Sequence, residues 1–135
     1  MIDMTPVHPV HNALSEQWFY AAQRDTLLIQ KDPATGTLQM YPRARVVGHP
    51  EREPEWVEAS GRGTLYSFTV VNRSIHKEFA SMTPFVIALV DLEEGVRITS
   101  WVIDAPLENL RCDMPLRVVF REIHPGVKMP CFVEA

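Results

Sequence analysis

The sequence predicts a mainly β domain, a small closed or partly open antiparallel barrel that follows an N-terminal helix and a hairpin. Three observations predict it. A breaker-free aromatic run fills residues 13–24, connections marked by proline and glycine fill residues 32–54, and from residue 55 short apolar runs alternate with turn signals. At 135 residues with 46% apolar side chains, the chain is long enough for one domain with its own core and too short for two comfortable ones. Charged residues make up 22%, so the pairing of low hydrophobicity with high net charge that marks a disordered chain is absent.

Residues 1–11, with Pro6, Pro9, His8 and His11, read as extended or mobile. Asn12 or Ser15 can cap the helix that follows, and Leu14, Trp18, Ala21 and Ala22 fall at i, i+4, i+7 and i+8 with Phe19 beside them. That stripe packs on the body of the protein. Trp18, Phe19 and Tyr20 together offer more aromatic surface than one face can hide, and the surplus is a candidate partner surface. Residues 27–31 and 38–41 form two short strands around Asp32-Pro33-Ala34-Thr35-Gly36. Residues 42–54 form a loop, long enough in so small a domain to need a reason.

The barrel begins at residue 55. Along residues 64–72, Tyr66, Phe68 and Val70 are expected on one face and Leu65, Ser67, Thr69 and Val71 on the other. Residues 85–92 are apolar on both faces, which places the barrel interior on one side and another element, the N-terminal helix, on the other. Glu93-Glu94-Gly95 turns into a strand over 96–103, Asp113-Met114-Pro115 introduces one over 116–123, and His124-Pro125-Gly126 returns the chain through 127–133. Strands of unequal length with a long first member suit closure better than a flat sheet with two bare edges.

Net charge is −4, from 13 basic and 17 acidic residues, and the lysines are Lys31, Lys77 and Lys128 alone. A general polyanion binder carries the opposite sign. No apolar run approaches a membrane span, and no basic and apolar leader opens the chain, so a cytoplasmic protein is expected. Cys112 and Cys131 are widely spaced and read as small buried thiols rather than a disulfide framework or metal cluster.

The runs EWVEASGRGTLYSFTVV (55–71), PFVIALVDLEEGVR (84–97) and MPLRVVF (114–120), behind the aromatic helix and Leu27-Leu28-Ile29-Gln30, resemble the DUF35 family of OB-fold proteins. The resemblance implies an N-terminal extension and helix over 1–25, a rubredoxin-like zinc ribbon over 26–54 and an OB barrel over 55–135. The family's ribbon carries two CxxC pairs, whose positions fall here on Asp32, Thr35, Val46 and His49. None is cysteine, and a structural zinc site needs four thiolate or imidazole ligands. The expectation is a degenerate, metal-free hairpin, with packing of Leu28, Leu38, Met40 and Tyr41 in place of the metal and with residues 43–54 as the most mobile internal part.

No nucleophile elbow, phosphate-binding glycine loop or HExxH sequence is present. The resemblance instead implies a non-catalytic subunit that accompanies a thiolase-like or hydratase-like enzyme and binds or helps accommodate acyl-CoA, with no other cofactor. At residue level this gives an apolar groove floored by Phe68, Val70 and Trp101 or by their opposite faces, with Arg73, His76 and Lys77 at its rim to meet phosphates or the pantetheine arm. Two other classes stand beside it. An OB barrel binding single-stranded nucleic acid would stack bases on Tyr66, Phe68 and Trp101, against the sign of the net charge. A free-standing thioester-processing enzyme would need His76 as its base. Edge strands and aromatic patches also serve self-association.

Overall fold

The computed structural model describes residues 12–124 and 126–135. The expected N-terminal extension, with His8 and His11, lies outside the described residues. The elements run α1 (Glu16–Gln23), β1 (Leu28–Lys31), β2 (Leu38–Gln39), β3 (Glu55–Glu58), β4 (Arg62–Val71), α2 (Lys77–Ala80), β5 (Phe85–Leu92), β6 (Arg97–Val102), a 3-10 turn (Leu107–Asn109), β7 (Pro115–His124) and β8 (Val127–Glu134).

Helix α1 starts where the sequence supplies donors' partners. Asn12 Oδ1 accepts from the backbone N–H groups of Leu14 and Ser15, at 3.0 and 3.1 Å, ahead of the first turn. Trp18, Ala21 and Ala22 form its buried stripe. The helix ends as Asp25 enters the left-handed region (φ 57°), and its carboxylate accepts from Lys128 Nζ at 2.9 Å. Gln23 then fixes the docking: its Nε2 donates to the Lys128 carbonyl while its Oε1 accepts from the Lys128 N–H. Helix α1 therefore packs on β8 and β1. This corrects the expectation that it covers β5.

Strands β2, β1 and β3 form an antiparallel three-stranded sheet in that order, with Gln30 opposite both Gln39 and Trp56. The hairpin around residues 32–36 is as expected, and Gly36, at φ 77°, donates to the Asp32 carbonyl across the turn. Strand β3, placed by the sequence at the start of the barrel, belongs instead to this sheet. The boundary expected at residue 54 thus falls inside it.

The barrel closes in the order β4-β5-β6-β8-β7. Closure depends on the start of β4, which pairs with β7 and β5 at once: Gly63 lies opposite both Leu116 and Leu92. A Cβ at Gly63 would run into the Asp91 carbonyl oxygen, and one at Gly61 (φ 80°) into the Val118 side chain, so both positions need glycine. One residue later in the ladder, a β-bulge separates the pairs Leu65–Val90 and Ser67–Leu89. The extra residue resets the alternation. Leu65, Phe68 and Val70 face the core while Tyr66 and Ser67 are exposed, which corrects the strict alternation expected from the sequence.

Leu65, Val90, Ile98, Met114, Leu116 and Phe132 are fully buried at the centre. Pro130 of β8 lies opposite Phe120 and has no N–H to give, and the seam between β6 and β8 is correspondingly thin. It consists of the parallel pair Val102–Phe132, the bond from Ile103 N to the Phe132 carbonyl, and that from Ser100 Oγ to the Pro130 carbonyl. No described helix is long and apolar enough to cross a membrane.

Of the two thiols, Cys131 is buried as expected, whereas Cys112 is exposed. Burial pushes the Cys131 thiol up to about 11. At pH 8 a disulfide reagent should therefore titrate one thiol in the native protein and the second only after denaturation. Leu65→Ala, which opens a cavity in the barrel centre, should lower unfolding stability by about 3 kcal/mol, read from a urea transition.

Candidate functional site

The connection between β4 and β5 carries the predicted rim. Backbone in the extended region at His76 gives way to α2, and His76 caps it: Nδ1 accepts from Glu78 N at 3.2 Å, and its carbonyl accepts from Phe79 N and Ala80 N. The turn closes through Thr83 Oγ1, which donates to the Ala80 carbonyl at 2.7 Å. Held this way, α2 lays Phe79 against Trp101 and Phe85. Ring centroids are 5.5 Å apart for His76 and Phe79, 5.9 Å for Phe79 and Trp101, and 4.5 Å for the stacked pair Phe85 and Trp101.

These rings lie on the outside of the barrel. Register sets Trp101 opposite Ile87, and Phe85 opposite Val71, whereas the inward residues Val86, Ala88 and Val90 alternate with them on β5. Phe68 pairs with Ala88 and so faces inward. The groove expected from Phe68, Val70 and Trp101 is corrected accordingly: the sheet separates Phe68 and Val70 from Trp101, and one surface cannot hold all three. Arg73, His76 and Lys77 are all exposed on the connection, with Ile75 wholly in solvent. Among the described residues neither Arg73 nor Lys77 has a carboxylate partner. The sequence reading missed Phe79 and Phe85. For Phe85 the signal was the odd-numbered apolar positions of residues 85–92, read as a surface for the helix; Phe79, in the connection before them, carried none.

At the opposite end of the same face the charges are mutually satisfied. Arg97 donates to both oxygens of Asp91 (2.6 and 3.2 Å) and lies 3.5 Å over the Tyr66 ring, and Arg62 pairs with Glu93. The guanidinium beside Asp91 holds its carboxyl below the usual carboxylate range. The outer face thus grades from ion pairs to aromatic rings and free cations. Stacking bases finds little here: Tyr66 lies under Arg97, Phe68 points inward, and Trp101 is stacked on Phe85.

On α1, Trp18 is part of the core, which corrects its place in a partner surface. Phe19 is half-buried and meets Trp18 edge-on at 5.1 Å. Tyr20 is 51% exposed, and its hydroxyl donates to Glu16 at 2.6 Å.

The four positions that the resemblance matched to zinc ligands lie on two turns, 32–35 and 46–49. Both oxygens of buried Asp32 are engaged. They accept from Arg52 Nε (2.9 Å) and NH2 (2.6 Å), from Ala34 N and from Thr35 Oγ1. Val46 is buried and offers no donor atom, and it bridges His49, whose Nδ1 faces Glu51 at 3.3 Å in solvent. No cluster of three or more metal-ligating side chains occurs among the described residues. Two buried glutamines tie down the loop. Gln39 Nε2 donates to Gln30 Oε1; Gln30 joins the backbone of Arg43 through both of its side-chain atoms; Gln39 joins Arg45 and Val47. Of the expected apolar support, Leu28, Leu38 and Met40 are half-buried and packed against the core, whereas Tyr41 is exposed, its hydroxyl accepting from Thr99 N at 2.8 Å. Arg52, Gln30 and Gln39 were not anticipated.

Comparison with known proteins places this geometry in context. Residues 56–121 match the family model "ChsH2, C-terminal OB-fold domain". The chain is 32% identical over 108 residues to a DUF35 domain-containing scaffold protein of Methanocaldococcus jannaschii, covering 78% of this chain and 75% of that one. It is 31% identical over 124 residues to a probable enoyl-CoA hydratase alpha subunit of Thermomonospora curvata, covering 92% of this chain but only 38% of that protein's length. Among solved structures, a chain of the "Ltp2-ChsH2(DUF35) aldolase" superposes with a TM-score of 0.84 at 30% identity, over 94% of this chain and 98% of that one. Helix, three-stranded sheet and barrel therefore recur together in a protein of the same extent, and the chain belongs to the DUF35 family of OB-fold proteins.

Proposed function

We propose that this chain is a non-catalytic accessory subunit that seats on a thiolase-like, hydratase-like or aldolase-like enzyme acting on acyl-CoA, supplying a binding surface rather than reacting groups. The observation that carries the reading is the near end-to-end likeness to the DUF35 chain of an aldolase. The name of the hydratase relative supports the same substrate class. Locally, a patch of Phe79, Phe85, Trp101 and Ile87, with Arg73 and Lys77 exposed on the same β4–β5 connection as Phe79 and without a carboxylate partner among the described residues, suits a ligand or partner that is apolar at one end and anionic at the other. His76 serves that rim as the cap that shapes it. Because its Nδ1 already accepts a backbone N–H, it is not arranged as a free base. Phe19 and Tyr20 on α1 form a second, smaller contact region in this reading.

The test is co-purification of the tagged chain from its host, with partners identified by mass spectrometry, beside calorimetry with coenzyme A. A thiolase-like, hydratase-like or aldolase-like enzyme should be recovered with the native chain and lost with Trp101→Asp, while the purified variant still melts cooperatively. The double variant Arg73→Ala/Lys77→Ala should weaken coenzyme A binding about tenfold, the loss of roughly 1.4 kcal/mol of phosphate contact. Recovery of nucleic acid instead of an enzyme would overturn the reading.

A further inference from the structure

We infer that the Asp32–Arg52 ion pair, seated between the two turns that carry metal ligands in a zinc ribbon, is the cross-link of this ribbon, so that the module folds and stays folded without zinc. The donor set rules the metal out on chemical grounds. A closed zinc site takes four thiolate, imidazole or carboxylate ligands, and here one position is an apolar side chain and another a threonine hydroxyl already shared by Asp32 and Thr37. The remaining carboxylate has no oxygen to spare, and the remaining imidazole lies in solvent against Glu51.

What replaces the metal is equally specific. Asp32 closes the first turn through bonds to Ala34 N and Thr35 Oγ1. Arg52 belongs to the second, its N–H donating to the His49 carbonyl and its carbonyl accepting from Val46 N. The guanidinium then reaches Asp32 with two parallel bonds, so the link joins turn to turn as a four-ligand metal would. Its planar fork fixes orientation as well as distance, which lysine could not do. The Gln30–Gln39 pair works on the same segment from the sheet side, bonding the backbone at residues 43, 45 and 47. A buried carboxylate deprived of its partner costs far more than the pair contributes over an apolar contact, so the arrangement fails when either half is removed.

An ion-pair cross-link also responds to pH where a zinc ribbon responds to chelators. The guanidinium holds the Asp32 carboxyl well below the usual carboxylate range, so its folded value lies under the unfolded one. Such a group stabilises fully above the unfolded value, about 4, and the contribution is lost as pH falls through the folded value. Glu51 lies on the other side of the Arg52 guanidinium at 3.2 Å, with His49 Nδ1 beside it at 3.3 Å, and its own backbone N–H, helped by His49 and Arg52, holds its carboxyl below the usual carboxylate range.

The test is amide hydrogen exchange on the full chain with elemental analysis of the same sample. The natively purified protein should hold no stoichiometric zinc, and a strong chelator should leave exchange in residues 30–54 unchanged. Arg52→Met should speed exchange there tenfold or more while Leu65 and Val90 keep their protection, and Arg52→Lys should restore it only in part. In the Arg52→Met background, cysteine at positions 32, 35, 46 and 49 (D32C, T35C, V46C, H49C) should bind one zinc and recover the lost protection. Stoichiometric zinc whose removal loosens the native ribbon would overturn the inference, as would unchanged exchange in Arg52→Met. Failure of the four-cysteine variant to bind zinc would show that the two turns do not stand as a ribbon's do, and would overturn the replacement.

Discussion

The barrel depends on the close approach of three strands at the start of β4. Gly61 and Gly63 let β7 and β5 come near enough to pair on both sides of one short stretch, and the Val118 N–H donates to the Gly61 carbonyl at 2.7 Å at that point. Without closure, β4 and β7 would each present an unpaired edge. With it, the strands enclose a core filled by Leu65, Ile98, Leu116 and Phe132, and nothing larger than side chains fits inside. Any ligand or partner must therefore be met on the outside.

The β-bulge decides what the outside looks like. By turning Tyr66 outward beside Arg97 it completes the charged end of the outer face, and it leaves Phe68 and Val70 inside. Farther along the same strands, Trp101, Phe85 and Phe79 gather under a short helix whose first turn rests on His76. Residues distant in sequence become one surface because β5 and β6 are in register, with Ile87 opposite Trp101.

Much of this was legible in the sequence because it is periodic. The helix, the hairpin and the succession of barrel strands along the chain all come from apolar spacing and turn residues. The site was legible only at its rim, where Arg73, His76 and Lys77 are consecutive enough to be recognised. Its floor was not, because alternation groups Tyr66 with Phe68 and Val70 and carries no mark of the bulge that puts Tyr66 outside and the other two inside with Leu65. The two-faced apolar run of β5 was read correctly as two surfaces, but the cover was assigned to α1, which Gln23 and Asp25 anchor to Lys128 instead. The ribbon was misjudged for a related reason. Gln30 and Gln39 look like solvent-facing strand residues until their cross-strand pairing shows them bonded to each other, and Arg52 lies twenty positions from the carboxylate it meets.

The seam between β6 and β8 has a mechanical meaning. Four of the barrel's five joints are antiparallel ladders, but this one is a parallel contact at Val102 and Phe132, pinned by two further bonds. The tube is therefore a rolled sheet fastened at its overlap, and the joint with the fewest backbone bonds is the one expected to open first. The Tyr41 hydroxyl, bonded to the Thr99 N–H at the open margin of β6, sets the chain beyond β2 as a button on the overlap. The three-stranded sheet and the barrel are thereby joined by a phenol at this margin as well as by the apolar packing of Leu27, Ile29, Leu38 and Met40 against the shared core.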